Sequence, residues 1–421
     1  MSSKAQAVAV DDRDDVMAHT AVRDLRDLPD LCADLFWSLA RADQRRWAEV
    51  YVRGLVSVPG RKSLRRIADE VVGYRAEQSL QQFLNQSPWD ERAVRRNLAA
   101  MLSATLRPRA WVLREVAFPK HGQNSVAVAR QYAPSLGRMV NGQLGLALFL
   151  AADNGSCPIT WRLAMPRCWD DDLKRRASAC VPAAERHQPW WCYVLDALDE
   201  LIDRWGLPPA PVLVDGRHEH RLEPLLRGLE ARRLRYAVQV SGDAPVRSTR
   251  ALRCRAGADR PLTVVGIAGA IPTANRTVVG WSGRQARGGC SAFALTPLGQ
   301  GQQFSRIVPG HGHLSPRHLV AEWPLGHPRP AGLWITNLNR AGLPNLVGLL
   351  KLSGQVDHDL QRLSDECGLQ HFEGRSFRGW HHHVTLVSAA HAYRLLREFD
   401  GAPDLDGYGG PGAAAGKGRA G

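Results

Sequence analysis

Apolar residues change their spacing at Trp111, and few architectures tolerate such a change. Between about Asp27 and Thr105 they recur every three or four positions, as in Leu64, Ile67, Ala68 and Val71, which is the stripe of packed helices. Ser87-Pro88 reads as an N-cap with Pro in the first turn of a helix carrying Val94, Leu98 and Leu102. From Trp111 the apolar residues come in short runs instead: Trp111 to Val116, Leu144 to Ala151 and Ile159 to Ala164. A helical stretch Tyr193 to Arg204, a strand Val212 to Asp215, a helix Arg221 to Arg232 and a strand Tyr236 to Val240 follow. Further short strands are expected at Val264 to Ile267, Val278 to Trp281 and Leu333 to Ile335, then helices at about Asn345 to Glu366 and His381 to Glu398. The reading is an α/β protein with an all-helical front end.

The domain plan follows from that pattern. Residues 21–105 are expected to form a helical N-terminal domain and 106–398 an α/β core, interrupted by a β-rich insertion at about 241–343. Residues 1–20 are polar and unpatterned, and 399–421 carry a Gly-rich and Ala-rich tail, so both ends are expected to be disordered.

Charge narrows the partner. Lys and Arg number 55 against 41 Asp and Glu, a net charge of +14, which suits a polyanion such as nucleic acid. Only six of those cations are lysines, so an arginine excess written by GC-rich codons is the plain alternative. Arg61, Arg65, Arg66, Arg92, Arg95 and Arg96 suit phosphate contacts from the helical domain, or equally a solvated face. The 8 cysteines form no Cys-x-x-Cys pair, against a zinc ribbon and a disulfide framework, and read as reduced core residues. No apolar run approaches the ~18 residues that span a bilayer. The first residues show no export pattern, so a cytoplasmic protein is expected.

Strand-end acids offer chemistry. A ribonuclease-H-like fold collects a pair of divalent ions with an acid on one strand, another ending a later strand and a third on a distant helix. Two ions about 4 Å apart need such hard oxygen ligands. Asp215 ends the run Pro211-Val212-Leu213-Val214 where such a ligand belongs, although a strand-terminal Asp is more commonly a turn residue. The order of strands and helices argues for the same core, with the strands at Trp111 and Val212 as neighbours.

Longer segments carry a resemblance. Phe118-Pro119-Lys120, Ser125 to Tyr132, Asn141-Gly142-Gln143-Leu144-Gly145 and, above all, Glu373 to Leu386 are similar to DDE-type transposases of bacterial insertion sequences. The likeness is to the insertion sequence 701 group with its Tyr-Arg-Glu-Lys signature, over about residues 45–395; Arg53-Gly54-Leu55 agrees. It implies a ribonuclease-H-like core, magnesium, double-stranded DNA with terminal inverted repeats as partner, and strand cleavage followed by transfer. A homodimer is a candidate assembly, and no membrane is expected. Arg130, Arg375, Arg378 and His382 fall on segments that the resemblance places near DNA.

The departures fall on the catalytic positions. Where the family carries its first Asp, this chain has Arg114, and the catalytic Glu position falls on Asp357. The signature's Arg and Lys fall on Ser353 and Ser364, so Asp215 alone is kept unchanged. Glu115 is a poor substitute, because adjacent strand residues point to opposite faces. Any retained metal would rest on Asp215 and Asp357. The expectation is instead that the Arg114 guanidinium takes the cation's place and pairs with one or both. The chain then reads as a catalytically impaired transposase, with a non-catalytic DNA-binding descendant or a pseudogene product as alternatives. Consecutive histidines His381, His382 and His383 fan out by about 100° on a helix and cannot chelate one ion together. His218 and His220 read as loop residues, and Trp169 as a core residue.

Overall fold

The computed structural model describes residues 27–73, 76–219, 221–246, 263–282, 288–298, 316–339 and 342–400. The ends expected to be disordered lie outside these, apart from the close of the last helix, as do much of the 241–343 segment and His220.

The front helices are α1 (Leu28–Phe36), α2 (Ala42–Ser57), α3 (Leu64–Ile67), α4 (Glu77–Asn85) and α5 (Glu91–Leu106). The cap of α5 differs from expectation: Asp90 accepts from the Arg92 amide, while Ser87 accepts from the Gln44 side chain. A carboxylate also complements the helix's positive end, so the acid three residues on displaces the Ser-Pro start.

The strands are β1 (Ala110–Pro119), β2 (Ala129–Ala133), β3 (Arg138–Ala152), β4 (Gly155–Ala164), β5 (Val212–Asp215) and β6 (Tyr236–Gln239). Four more follow: β7 (Thr277–Trp281), β8 (Gly289–Pro297), β9 (His318–Pro324) and β10 (Gly332–Thr336). Among the described residues they form one 10-stranded sheet in the order β2-β3-β1-β5-β6-β10-β9-β8-β7, with β4 also on β3. β1, β5 and β6 run parallel, and Trp111 lies beside Val212 as expected. β1, central in that order, is buried almost throughout. Gly142 of β3 pairs with the end of β1 and has no room for a side chain: a Cβ there would lie 2.5 Å from the Phe118 carbonyl oxygen.

The described part of the insertion continues the sheet beyond β6 instead of standing apart from it. Val264 to Ile267, expected as a strand, is the start of a helix. Thr263 caps it by accepting from the Gly266 amide, and Val264, Ile267 and Ala268 are buried at helical spacing. Four apolar residues fit either period, and the cap with its packing decides.

The remaining helices are α6 (Leu173–Ser178), α7 (Trp190–Asp199), α8 (Leu222–Ala231), α9 (Val264–Gly269), α10 (Leu343–Asp365) and α11 (Phe377–Asp400). From Trp380 to Tyr393 every residue of α11 is buried, which is the mark of a helix enclosed on all sides. Its histidines, Thr385 and Ser388 survive there because each has a hydrogen-bond partner. Arg95 of α5 donates to Thr385 Oγ1 at 2.7 Å and to the His381 and Trp161 carbonyls at 3.1 and 3.2 Å. The front helices thus share one core with the sheet through α11.

Candidate functional site

Three strand or helix positions far apart in sequence meet at the centre of the sheet. The parallel register Leu113↔Val214 carries Arg114 and Asp215 to neighbouring positions on one face, and α10 crosses it with Asp357. Arg114 is 8% exposed and donates from Nε to Asp357 Oδ1 at 2.6 Å and from Nη2 to the Ser353 carbonyl at 3.2 Å. The expected pairing of Arg114 with a carboxylate is therefore present, to Asp357 and not to both acids.

Asp215 is held by a cation that the sequence reading missed. Arg217 donates from Nε and Nη2 to its two oxygens at 2.9 and 2.6 Å, and its amide donates at 3.1 Å. Burial alone would raise the Asp215 carboxyl, but these hydrogen bonds and the charges of Arg217 and Arg114 outweigh it and hold it below the usual range. Asp357 acts on Arg217 in turn, so the four side chains form one electrostatic unit. The signal in the sequence was a basic residue two positions after a strand-terminal acid, a common turn pattern.

Glu115 lies off this unit, as strand alternation requires. Its Oε1 accepts weakly from the Ser135 amide and hydroxyl, both at 3.4 Å. Burial pushes its carboxyl up to about 7 against those hydrogen bonds, and the charges of Asp215 and Glu219 push the same way.

The donor set does not fit a magnesium pair. Asp215 and Asp357 are each occupied by a guanidinium, the residue beside them on β1 is the cation Arg114, and the described residues contain no group of three His, Cys, Asp or Glu able to hold a metal ion. Ser353 and Ser364 bring no charge to α10; Ser364 Oγ donates to the Leu360 carbonyl.

Of the residues expected near DNA, Arg130, Arg375 and Arg378 are exposed. His382 is not: it is fully buried, stacks on Trp89 with ring centroids 3.7 Å apart, and its ring nitrogens face the Leu84 and Trp89 carbonyls, to one of which the neutral ring donates. The DNA contact expected of it is withdrawn, because α4 and the segment leading to α5 cover that side of α11. His381 and His383 are core residues too, facing Arg95 and Tyr51. Trp169 is buried, its Nε1 donating to the Val128 carbonyl.

The fold and site define a mixed α/β protein with strand-end and helix carboxylates drawn together on a large sheet. The chain belongs to the DDE superfamily endonucleases, whose family model matches residues 34–277, more than half of its length. It is 30% identical over 116 residues to the probable transposase for insertion sequence element IS701 of Microchaete diplosiphon, covering 27% of this chain and 30% of that protein. The match thus spans under a third of that relative's length. Among solved structures it is similar to the piggyBac transposase synaptic complex with hairpin DNA, at 13% identity and a TM-score of 0.40, over 90% of this chain and 83% of that one. No helix among the described residues is long and apolar enough to cross a membrane.

Proposed function

We propose that this chain binds double-stranded DNA in the cytoplasm as a transposase whose strand-cleaving site is disabled. The strand order β4-β3-β1-β5-β6 supports a ribonuclease-H-like core, with three antiparallel-joined strands followed by two parallel ones. Family membership supports DNA as the substrate class, with terminal inverted repeats as the specific site and residues 21–105 contributing to binding. The observation that carries the loss of catalysis is the Arg114 to Asp357 ion pair, which fills the first ligand position with a buried cation. A guanidinium can hold two loops of charge together, but it cannot lower the pKa of water as a metal ion does. Purified chain with magnesium or manganese and DNA ending in candidate inverted repeats tests both halves. Binding without nicking is the expected result. Nicking that Asp215→Ala abolishes would overturn the loss of catalysis, and absence of binding at low salt would overturn the DNA assignment.

A further inference from the structure

The outer strand β2 and the first residues of β3 make a hairpin closed by a single 3-10 turn, Pro134–Leu136. Three large apolar side chains stand out on it: Tyr132 is 46% exposed, Leu136 43% and Met139 51%. Single exposed apolar residues are ordinary, whereas a cluster on one protruding turn marks a contact surface. Tyr132 and Met139 are cross-strand partners, so they stand side by side on one face, and Arg130 lies two residues from Tyr132 on that same face. Arg130 and Arg138 are exposed, and residues 129–141 contain no Asp or Glu to neutralise them.

The other face of the hairpin fixes where this surface lies. Ala133 and Val140 pack on Ala117 of β1, and Ser135 reaches Glu115. The Tyr132 ring meets His218 edge-on at 6.0 Å, three residues past Asp215. The exposed cluster is therefore held against the loop that carries the strand-end acid.

We propose that this hairpin is a nucleobase platform, on which Tyr132, flanked by Met139 and Arg130, stacks with an unpaired base of DNA lying beside Asp215. The proposal rests on the reading that the chain binds DNA. An aromatic face beside uncompensated arginines is the combination that stacks bases while neutralising phosphates. Electrostatics disfavours a second copy of the chain as occupant. A two-fold contact through β2 would bring Arg130 and Arg138 of both copies together with no acid on either hairpin.

The experiment compares the full chain on two labelled DNAs, a fully paired duplex and the same sequence with a short unpaired bubble containing 2-aminopurine. The wild type is expected to bind the bubble about tenfold more tightly and to quench the 2-aminopurine, the low end of what one base–aromatic stack contributes. Tyr132→Ala should lose the preference and the quenching while holding paired-duplex affinity within about twofold, and Tyr132→Phe should keep both. Arg130→Gln with Arg138→Gln should weaken both DNAs alike. A bubble preference that survives Tyr132→Ala, or a wild type that binds both DNAs equally, overturns the platform and leaves the DNA reading standing. A wild type that binds neither overturns both. Light scattering in which Tyr132→Ala with Met139→Ala turns a dimer into a monomer would assign the patch to a second copy and overturn the proposal.

Discussion

Arg114→Asp reverses the charge beside Asp357 and Asp215, and its consequence can be worked through. Arg114, Arg217, Asp215 and Asp357 together carry no net charge at neutral pH; the substitution leaves three carboxylates against Arg217, a net charge of about −2. The Arg114 side chain is 10% exposed, so the new carboxylate is desolvated beside Asp215, whereas the released Asp357, 61% exposed, is solvated at little cost. Without metal we expect a loss of about 2–4 kcal/mol, below the full cost of breaking a buried pair because one partner is open to water. A divalent ion that binds only the folded variant restores about 2.7 kcal/mol at a hundredfold excess over Kd, or roughly 3 °C in thermal unfolding of a chain this long. Unfolding scans of wild type, Arg114→Asp and Arg114→Ala with and without manganese, joined to calorimetric titration, make the measurement. Only Arg114→Asp should respond, because Arg114→Ala removes the cation without adding a ligand. A folded Arg114→Asp protein indifferent to manganese, or a wild type that binds it as well, refutes the account. Strand transfer should stay poor in the variant, since Ser353 and Ser364 still supply no charge.

Other expectations follow from the same geometry. Glu115 titrates near 7 in the fold against an ordinary 4.5, so the folded state keeps a proton that the unfolded chain releases in that window and stability falls as pH rises through it. Glu115→Gln should match wild type near the low end and gain up to about 3 kcal/mol near pH 8 in urea unfolding; a pH-independent difference would contradict this. His383 is lowered from 6.5 to about 3 by burial, so the unfolded chain takes up its proton first and stability falls as pH drops below 6.5. Wild type should lose about 1.4 kcal/mol more per pH unit there than His383→Gln, and parallel profiles would be the contrary finding. Arg95→Met should cost about 2–4 kcal/mol in denaturant unfolding, because the Thr385 hydroxyl and two carbonyls lose their buried donor; a neutral substitution would show that they find other partners. If Arg130, Arg138, Arg375 and Arg378 each neutralise a phosphate, affinity for DNA should fall about 150-fold over a fourfold rise in salt, and a flat response would return the arginines to codon usage.

Spacing along the chain determined the elements whose patterns were long or sharply bounded. Val212 to Asp215 is the strand that the apolar run marked, and the helices at Leu222–Ala231 and Leu343–Asp365 follow stretches read as periodic. Such patterns are local, because burying one face of an element fixes its period within a few residues. Where two local solutions were close in energy, packing chose between them. Val264 to Ile267 became a helix under its Thr263 cap, and Asp90 displaced Ser87 as the start of α5. The site divides in the same way. The sequence placed an acid at the end of β5, the resemblance pointed to Arg114 as the cation beside it, and strand alternation turned Glu115 away. It could not say which acid Arg114 would take, because that pair closes over 243 residues and depends on how α10 crosses the sheet. Nor could it show that Arg217 holds Asp215, or that the front helices bury His382, since a residue's exposure is set by what the rest of the chain lays over it.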